Sequence, residues 1–147
     1  MRKLFRKIRQ KRFNYKSLVE ILIYKKNLLH NLEEFRKLNT KIDIAPVLKS
    51  NAYGHGLTEA GKIFVEAGAD WLSVNSLYEA KKLREAGINV PIYILGYVAL
   101  ENLEEAVNLN CRLVVYNRET IEILGKLAKP VKVHLKVETG NNRQGIY

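Results

Sequence analysis

The chain has 147 residues, 47% of them hydrophobic, which is enough for one globular core. No apolar run approaches the roughly 20 residues of a membrane-spanning helix, so no membrane span is predicted. The single cysteine, Cys111, excludes an intrachain disulfide and a cysteine-rich metal site, and it suits a reducing compartment. We therefore predict no metal site.

Most of the formal net charge of +10 comes from the segment 1–12, which holds seven cations and no acid. A nucleic-acid-binding sheet would instead interleave basic and aromatic residues on one face, so this function is not favoured. Leu4, Phe5 and Ile8 would form a narrow apolar stripe on a helix, which leaves contact with an anionic surface as an alternative. We predict a basic, solvated tail over residues 1–17.

After the tail, the pattern predicts a strand over Leu18–Ile23 and a helix over Tyr24–Leu38, where large apolar residues recur at helical spacing. A second strand is predicted from Ile42 to Leu48. Side chains alternate along a strand. We therefore expect two faces, formed on one side by Asp43, Ala45, Val47 and Lys49 and on the other by Ile44 and Leu48.

Lys49 stands where the second strand ends, on a face shared with apolar residues. Burying an unpaired ammonium costs several kcal/mol, so two interpretations compete. Either the side chain reaches solvent or pairs with a carboxylate, or it is held in a dry pocket as a nucleophile that forms a Schiff base. The residues that follow predict a ligand-approach loop, since Gly54 and Gly56 permit positive φ.

Downstream of this loop, helices and strands alternate. The predicted helices are Leu57–Ala67, Leu77–Ala86, Leu100–Leu109 and Arg118–Ala128, and the predicted strands are Asp70–Asn75, Pro91–Gly96, Arg112–Tyr116 and Val131–Glu138. Ser76 and Glu79 have the spacing of a capping box, and Asn117 can cap the last helix. Five strands counted from Ile42, separated by helices, indicate an α/β fold with a parallel sheet.

The last predicted strand has two unlike faces. One face is apolar and would pack under helices, and the other is polar and would point inward in a barrel. The apolar face comprises Val131, Val133, Leu135 and Val137, and the polar face comprises Lys132, His134, Lys136 and Glu138. Active sites of parallel α/β barrels are built at the carboxyl ends of strands. An edge strand with one solvated face is the alternative.

Two motif blocks carry a resemblance to a known family. The run Val47-Leu48-Lys49-Ser50-Asn51-Ala52-Tyr53-Gly54-His55-Gly56 closely resembles the pyridoxal-phosphate motif of bacterial alanine racemases. The run His134-Leu135-Lys136-Val137-Glu138-Thr139-Gly140, followed by Arg143, resembles a later strand and loop of the same family, with Glu138 in place of Asp. The resemblance extends from about Leu18 to Tyr147.

The resemblance implies the N-terminal part of a pyridoxal-phosphate-binding (β/α)8 TIM-like barrel of the fold-type III racemases. Residues 18–147 would then be a partial barrel domain with about five of the eight strands, and the C-terminal β domain would be absent. A closed barrel takes roughly 250 residues. We therefore expect the chain to be a fragment or a truncated gene product.

The resemblance also assigns residues. It implies that Lys49 carries pyridoxal 5'-phosphate as an internal aldimine and acts as a catalytic group. The Tyr53 hydroxyl would reach the cofactor phosphate. Arg143 would contact the cofactor phenolic oxygen and the substrate carboxylate, a task for which a planar guanidinium is suited. Lys136 aligns with a lysine that is often carbamylated, and a carbamate there would hold Arg143.

The activity so implied is pyridoxal-phosphate-dependent interconversion of L-alanine and D-alanine, an isomerase reaction that supplies D-alanine for peptidoglycan in the cytoplasm. The complete enzyme is expected to be a homodimer. In the family, the acid–base group on the opposite substrate face is a Tyr from the partner's C-terminal domain, so the 147-residue chain alone is expected to be inactive. An unclosed parallel sheet leaves open strand edges, so the chain is also expected to be aggregation-prone. The alternative is a non-catalytic, truncated pyridoxal-phosphate-binding half-barrel.

Overall fold

The computed structural model of the protein describes Leu18 and residues 22–147. The predicted tail over residues 1–17 lies outside these residues. So does most of the first predicted strand, of which Leu22 and Ile23 form irregular chain rather than a strand. Within the described part, no helix is both long enough and apolar enough to cross a bilayer.

Helices and strands alternate through the described chain. The α-helices are α1 (Lys25–Leu38), α2 (Leu57–Glu66), α3 (Leu77–Glu85), α4 (Leu103–Asn108) and α5 (Arg118–Gly125), and a 3-10 turn, Leu100–Asn102, leads into α4. The strands are β1 (Leu72–Val74), β2 (Ile92–Ile94), β3 (Cys111–Val115) and β4 (Val133–Leu135). The predicted helices and the four strands predicted from Asp70 onward are present, with most boundaries shifted by a few residues.

The four strands form one open parallel sheet in the order β1-β2-β3-β4. The register places Tyr93 opposite both Ser73 and Arg112, and His134 opposite Val114. Successive strands are joined through a helix, as a parallel sheet requires. The predicted α/β fold with a parallel sheet is therefore confirmed.

The predicted strand over Ile42–Leu48 is reduced to a single parallel bridge between Val47 and Ser73. Ser73 N donates to Pro46 O at 2.9 Å, and Leu48 N donates to Ser73 O at 2.7 Å. The next bridge would require the Pro46 nitrogen to donate a hydrogen bond, and proline has no N–H. The segment is therefore extended beside β1 without being a regular strand.

The core lies where the helices cover the sheet. Its fully buried side chains alternate along β1 and β2 and include Leu72, Val74, Ile92 and Ile94, each 0% exposed. Burying each such side chain contributes roughly 1.5–3 kcal/mol. Leu48 is 1% exposed and belongs to the same core, so the backbone immediately before Lys49 is fixed by the packing of its neighbour.

The apolar face of β4 differs from the prediction. Val133, Leu135 and Val137 are 45%, 58% and 55% exposed. Among the described residues, no helix follows β4 to cover this face. Of the predicted apolar face, Val131 packs against the core, whereas the expectation of helix cover is wrong for the other three residues in the described part of the chain.

Both predicted helix caps are present. Ser76 Oγ accepts from Glu79 N, and the Glu79 carboxylate accepts from Ser76 N, which completes the capping box at the start of α3. At α5, Asn117 Oδ1 accepts from Thr120 N at 2.8 Å. The side-chain oxygens satisfy amides that the helix itself leaves unpaired.

Candidate functional site

Two polar segments follow extended backbone at the carboxyl edge of the sheet. The first, residues 49–56, follows the extended segment beside β1, and we call it the Lys49 turn. The second, residues 138–146, follows β4, and we call it the Arg143 loop. Parallel strands bring both segments to the same edge. They lie at opposite sides of the open sheet, and no hydrogen bond or ion pair joins them among the described residues.

The Lys49 turn is a left-handed helical turn, whereas the sequence predicts an irregular loop. Ser50, Asn51, Ala52 and Tyr53 have φ of 55°, 58°, 53° and 53°. Ala52 N donates to Leu48 O at 2.8 Å. For L-residues this conformation costs roughly 1–2 kcal/mol per residue, and only Asn tolerates it readily. Strain of this kind persists only where surrounding structure holds it.

Local contacts hold one side of the turn. Ala52 is 4% exposed and belongs to the core. The Asn51 carbonyl accepts from the amides of Gly54 and Gly56 at 3.1 and 3.0 Å, and Asn51 Oδ1 accepts from Leu57 N at 2.9 Å. Gly54 and Gly56 have φ of 94° and 92°, as their identity predicts.

Glu79 holds the other side of the turn, across 29 residues of sequence. Its Oε1 accepts from Ser50 N at 2.7 Å. Its Oε2 accepts from Asn75 N at 2.8 Å and from Ser76 N at 3.1 Å. The sequence marks Glu79 as a capping residue, but nothing in the local pattern indicates the contact with Ser50.

The two side chains of the turn that were predicted to bind the cofactor have polar ends without a partner among the described residues. Lys49 is half-buried, and its ammonium makes no hydrogen bond or ion pair there. Tyr53 is 62% exposed, and its hydroxyl makes none either. Lys49 therefore does not pair with a carboxylate of the described chain.

In the Arg143 loop, one carboxylate gathers several backbone amides. Glu138 Oε1 accepts from Gly140 N at 2.6 Å, and Oε2 accepts from Arg143 N at 3.0 Å. The amides of Asn142, Arg143 and Gly140 lower the pKa of Glu138 to about 2. The base of the loop is closed by hydrogen bonds from Glu138 N to Ile146 O and from Ile146 N to Lys136 O, at 2.8 and 3.0 Å.

The side chain of Arg143 is exposed, and its guanidinium has no partner among the described residues, although its backbone is held. Lys136 Nζ donates to Gln144 Oε1 at 3.0 Å, and Gln144 Nε2 donates to Tyr116 Oη at 3.4 Å. Lys136 and Arg143 thus lie on one stretch of chain, but no direct contact joins their side chains.

The sequence analysis did not predict a cluster of aromatic and charged side chains that contact one another across the strands of the sheet. Trp71 lies edge-on to His134, with ring centroids 5.7 Å apart, and Tyr93 lies 4.5 Å from His134. The Arg112 guanidinium stacks 3.7 Å above the Trp71 ring, and Trp71 Nε1 donates to Asp43 Oδ2 at 3.0 Å. Polar or aromatic residues at alternate positions of successive strands are the signal that indicates such a layer.

A parallel sheet of βα units, with polar segments at the carboxyl ends of its strands, defines this chain as part of a βα barrel. The family described as "Alanine racemase, N-terminal domain" matches residues 23–147. The chain belongs to this family.

Individual relatives agree with that assignment. An alanine racemase of Methanococcus maripaludis is 43% identical over 121 residues, covering 79% of this chain and 32% of the relative. The crystal structure of an alanine racemase from Oenococcus oeni superposes with a TM-score of 0.78 at 32% identity, covering 84% and 36% of the two chains. A histidine racemase from Leuconostoc mesenteroides gives a TM-score of 0.77 at 32% identity, covering 84% and 34%.

The chain thus spans about a third of the length of the relatives it matches.

Proposed function

We propose that this chain forms the part of an alanine racemase that carries pyridoxal 5'-phosphate, with Lys49 as the attachment site. The observation that carries the proposal is the Lys49 turn, in which an amine without a partner among the described residues precedes four consecutive strained residues at the carboxyl edge of a parallel sheet. Strained backbone concentrates at functional sites. The family match and the relatives named alanine racemase supply the reaction class.

The residues present fit the cofactor. Covalent attachment needs an amine, the phosphate needs hydrogen-bond donors, and the phenolic oxygen needs a cation. Lys49, Tyr53 and Arg143 offer these three groups, and none of the three is engaged by another described residue. Arg84 differs from these three residues, because its guanidinium is engaged in structural hydrogen bonds. It donates to the backbone carbonyls of Leu109, Ile88, Val90 and Asn110.

When bound, pyridoxal phosphate withdraws electrons from an amino acid's Cα and so makes the Cα proton acidic. Lys49 Nζ would hold the cofactor and, when released by substrate, remove or deliver that proton from one face. Tyr53 Oη would donate to the phosphate. Racemisation also requires an acid–base group on the opposite face, and we assign that role to no residue of this chain.

Arg143 would bind the substrate carboxylate and the phenolic oxygen through its planar fork. Lys136 is the proposed site of carbamylation. Its half-buried ammonium has a neutral amide, Gln144, as its hydrogen-bond partner and no carboxylate partner among the described residues. Conversion to a carbamate would replace this uncompensated cation with an anion that can orient Arg143.

The setting proposed for the chain is the cytoplasm, in a homodimeric enzyme that makes D-alanine for peptidoglycan. Residues 18–147 would form a partial barrel domain and residues 1–17 a basic tail. Binding of pyridoxal phosphate without catalysis is the alternative function.

Histidine is a second candidate substrate, because the histidine racemase of Leuconostoc mesenteroides is as similar in identity and coverage of this chain as the alanine racemase of Oenococcus oeni. Comparing Cα-proton exchange of alanine and histidine, each as both enantiomers, would separate the two. We propose alanine because the most similar of the relatives above carries that name.

The test of attachment is to incubate the full 147-residue chain with pyridoxal phosphate, reduce it with borohydride and map the modified peptides. We expect the label on Lys49. Lys49→Ala should abolish that label, whereas Lys62→Ala, which removes an exposed lysine of α2, should leave it unchanged. Label on another lysine with Lys49 unmodified would refute the assignment.

The test of activity follows L-alanine and D-alanine separately in heavy water by NMR and chiral chromatography. We expect no interconversion by this chain alone. Because Lys49 would reach Cα from one face, the partial reaction open to it is exchange of the Cα proton, with retention, in the one enantiomer whose proton lies on that face. Label on Lys49 without exchange in either enantiomer would support the non-catalytic alternative. Robust formation of D-alanine by the monodisperse chain would show that another residue of this chain acts on the opposite face.

A further inference from the structure

Glu79 makes more contacts than its helix requires. As the third residue of α3 it completes the capping box through Oε2, which accepts from Ser76 N and from Asn75 N. Its other oxygen, Oε1, faces away from that box and accepts from Ser50 N at 2.7 Å. A capping box needs no contact with another βα unit. The contact of Oε1 with Ser50 is therefore not explained by capping of α3.

Ser50 is the first left-handed residue after Lys49, with φ of 55° and ψ of 49°. On one side, Leu48 is held by the core and by its hydrogen bond to Ser73. On the other side, Asn51 and Ala52 are held by their own bonds and by burial. The amide that joins Lys49 to Ser50 has Glu79 as its acceptor, so this carboxylate fixes the peptide plane next to the Lys49 Cα.

We propose that Glu79 is a positioning residue for Lys49, which clamps the peptide after Lys49 in the left-handed turn and so sets the direction in which the lysine side chain leaves the sheet. The part that concerns reactivity rests on the proposed function of Lys49 as the attachment site. The part that concerns the turn rests on the contacts above alone. Two βα units are thereby coupled at the carboxyl edge, because α3 begins directly after β1, the strand that bridges to Val47.

Three variants separate the clamp from the helix cap. In Glu79→Asp the negative charge stays and can still serve the first turn of α3, but the shorter side chain cannot span both Ser76 and Ser50. In Glu79→Gln one oxygen becomes a donor and can no longer accept an amide. Ser76→Ala is the matched control, since it removes the hydroxyl of the capping box and leaves the Glu79–Ser50 contact in place.

The first readout is hydrogen exchange at the Ser50 amide in the full chain without cofactor. We expect exchange to accelerate by about tenfold or more in Glu79→Asp and Glu79→Gln, because a charge-assisted hydrogen bond is lost. In Ser76→Ala we expect acceleration at the Glu79 amide and an unchanged rate at Ser50. Equal acceleration at Ser50 in Ser76→Ala and Glu79→Asp would overturn the clamp, and so would an unchanged rate in both Glu79 variants.

The second readout is the rate at which pyridoxal phosphate labels Lys49, followed by the visible absorption of the adduct and by borohydride mapping. We expect labelling to slow by about tenfold in Glu79→Asp while the urea unfolding midpoint stays near that of Ser76→Ala. A faster-exchanging Ser50 amide with an unchanged labelling rate would overturn the positioning role. Absence of label on Lys49 in the unmodified chain would refute the proposed function instead, and exchange at Ser50 would still decide whether the clamp exists.

Discussion

The Lys49 turn and the Arg143 loop share one function in the fold, which is to hold a cationic side chain at the edge of the sheet, but different contacts fix their backbones. Both present, at the carboxyl edge of the sheet, a cationic side chain that has no partner in the described part of the chain. In both, a glutamate accepts hydrogen bonds from backbone amides. Glu79 reaches the turn from another βα unit, whereas Glu138 lies at the base of its own loop. The turn places four non-glycine residues at positive φ, whereas the loop uses Gly140 and Gly145, with φ of 123° and 143°, beside Asn142.

The difference shows which contacts keep each segment in its conformation. The turn is strained and depends on distant structure, since Ala52 packs in the core and Glu79 comes from α3. The loop is closed by contacts over a short stretch of its own chain and is mostly exposed. Changes in the core should therefore disturb Lys49 first, and changes in solvent conditions should disturb Arg143 first.

The largest expected effect comes from a substitution at the buried residue of the Lys49 turn. Ala52→Val should destabilise the fold by roughly 2–5 kcal/mol, because a β-branched side chain at positive φ adds backbone strain to overpacking of the core. Urea unfolding measures it. Ala80→Val, at an ordinary helical position that is 0% exposed, is the control for overpacking alone. Equal losses in the two variants would mean that the left-handed backbone contributes nothing.

A smaller effect is expected at the base of the loop. A Cβ on Gly145 would lie 2.5 Å from Glu138 N and 2.7 Å from Val137 C, so Gly145→Ala should cost roughly 2–4 kcal/mol of loop closure. Gly140→Ala is the matched control, since it also has positive φ but open space around the added atom. Hydrogen exchange at Ile146 should accelerate more in Gly145→Ala. The same rate in both variants would exclude the close approach as the cause.

Arg143→Lys tests the loop's function rather than its closure. The guanidinium is exposed and has no hydrogen-bond or ion-pair partner among the described residues, so circular dichroism and urea unfolding should not change. Affinity for pyridoxal phosphate should fall by about 10- to 150-fold, corresponding to roughly 1.5–3 kcal/mol of charge-assisted, bidentate hydrogen bonding. Unchanged affinity, measured by absorbance titration of the full chain, would exclude the cofactor contact.

The same comparison explains what the sequence could predict. Elements set by local pattern were predicted well: the capping box at Ser76, the cap at Asn117, the alternation that gives a parallel sheet, and the positive φ of Gly54 and Gly56. The motif also marked Lys49 and Arg143, which the structure places at the same edge of the sheet. Their roles toward cofactor and substrate remain predictions.

Features set by distant contacts were not predictable. Ser50, Ala52 and Tyr53 have no intrinsic preference for the left-handed region. The left-handed turn depends on contacts with Glu79 and with the core, which the local sequence does not reveal. The strand over Ile42–Leu48 was predicted from its apolar pattern, but the missing N–H of Pro46 limits its pairing. Alternation along the strands indicates a layer of polar and aromatic residues, but the contacts of Trp71 and Tyr93 with His134 depend on a register that the sequence does not specify.

The smallest expected effect on global stability comes from acidifying the Arg143 loop. Hydrogen bonds from the amides of Asn142, Arg143 and Gly140 lower the pKa of Glu138 from 4.5 to about 2. A carboxyl whose pKa is lowered by folding stabilises the folded form above its unfolded pKa and loses that contribution as pH falls toward its folded pKa. Order in the loop should therefore be complete above about pH 4.5 and be lost progressively as the pH falls toward 2.

Exchange or chemical shifts of the Gly140 and Arg143 amides, followed against pH, measure this loss. Asp70 also has a lowered pKa, through the amide of Ile44 and the Arg36 guanidinium, so the global acid transition contains its contribution as well. Glu138→Gln separates the two, because it removes the titration in the loop and leaves Asp70 unchanged. A loop that titrates in the same way in the Glu138→Gln variant would show that Glu138 does not hold it. Any change at the Ser50 amide in this pH range should be the same in the Glu138→Gln variant, because its acceptor is Glu79 of α3 and not Glu138.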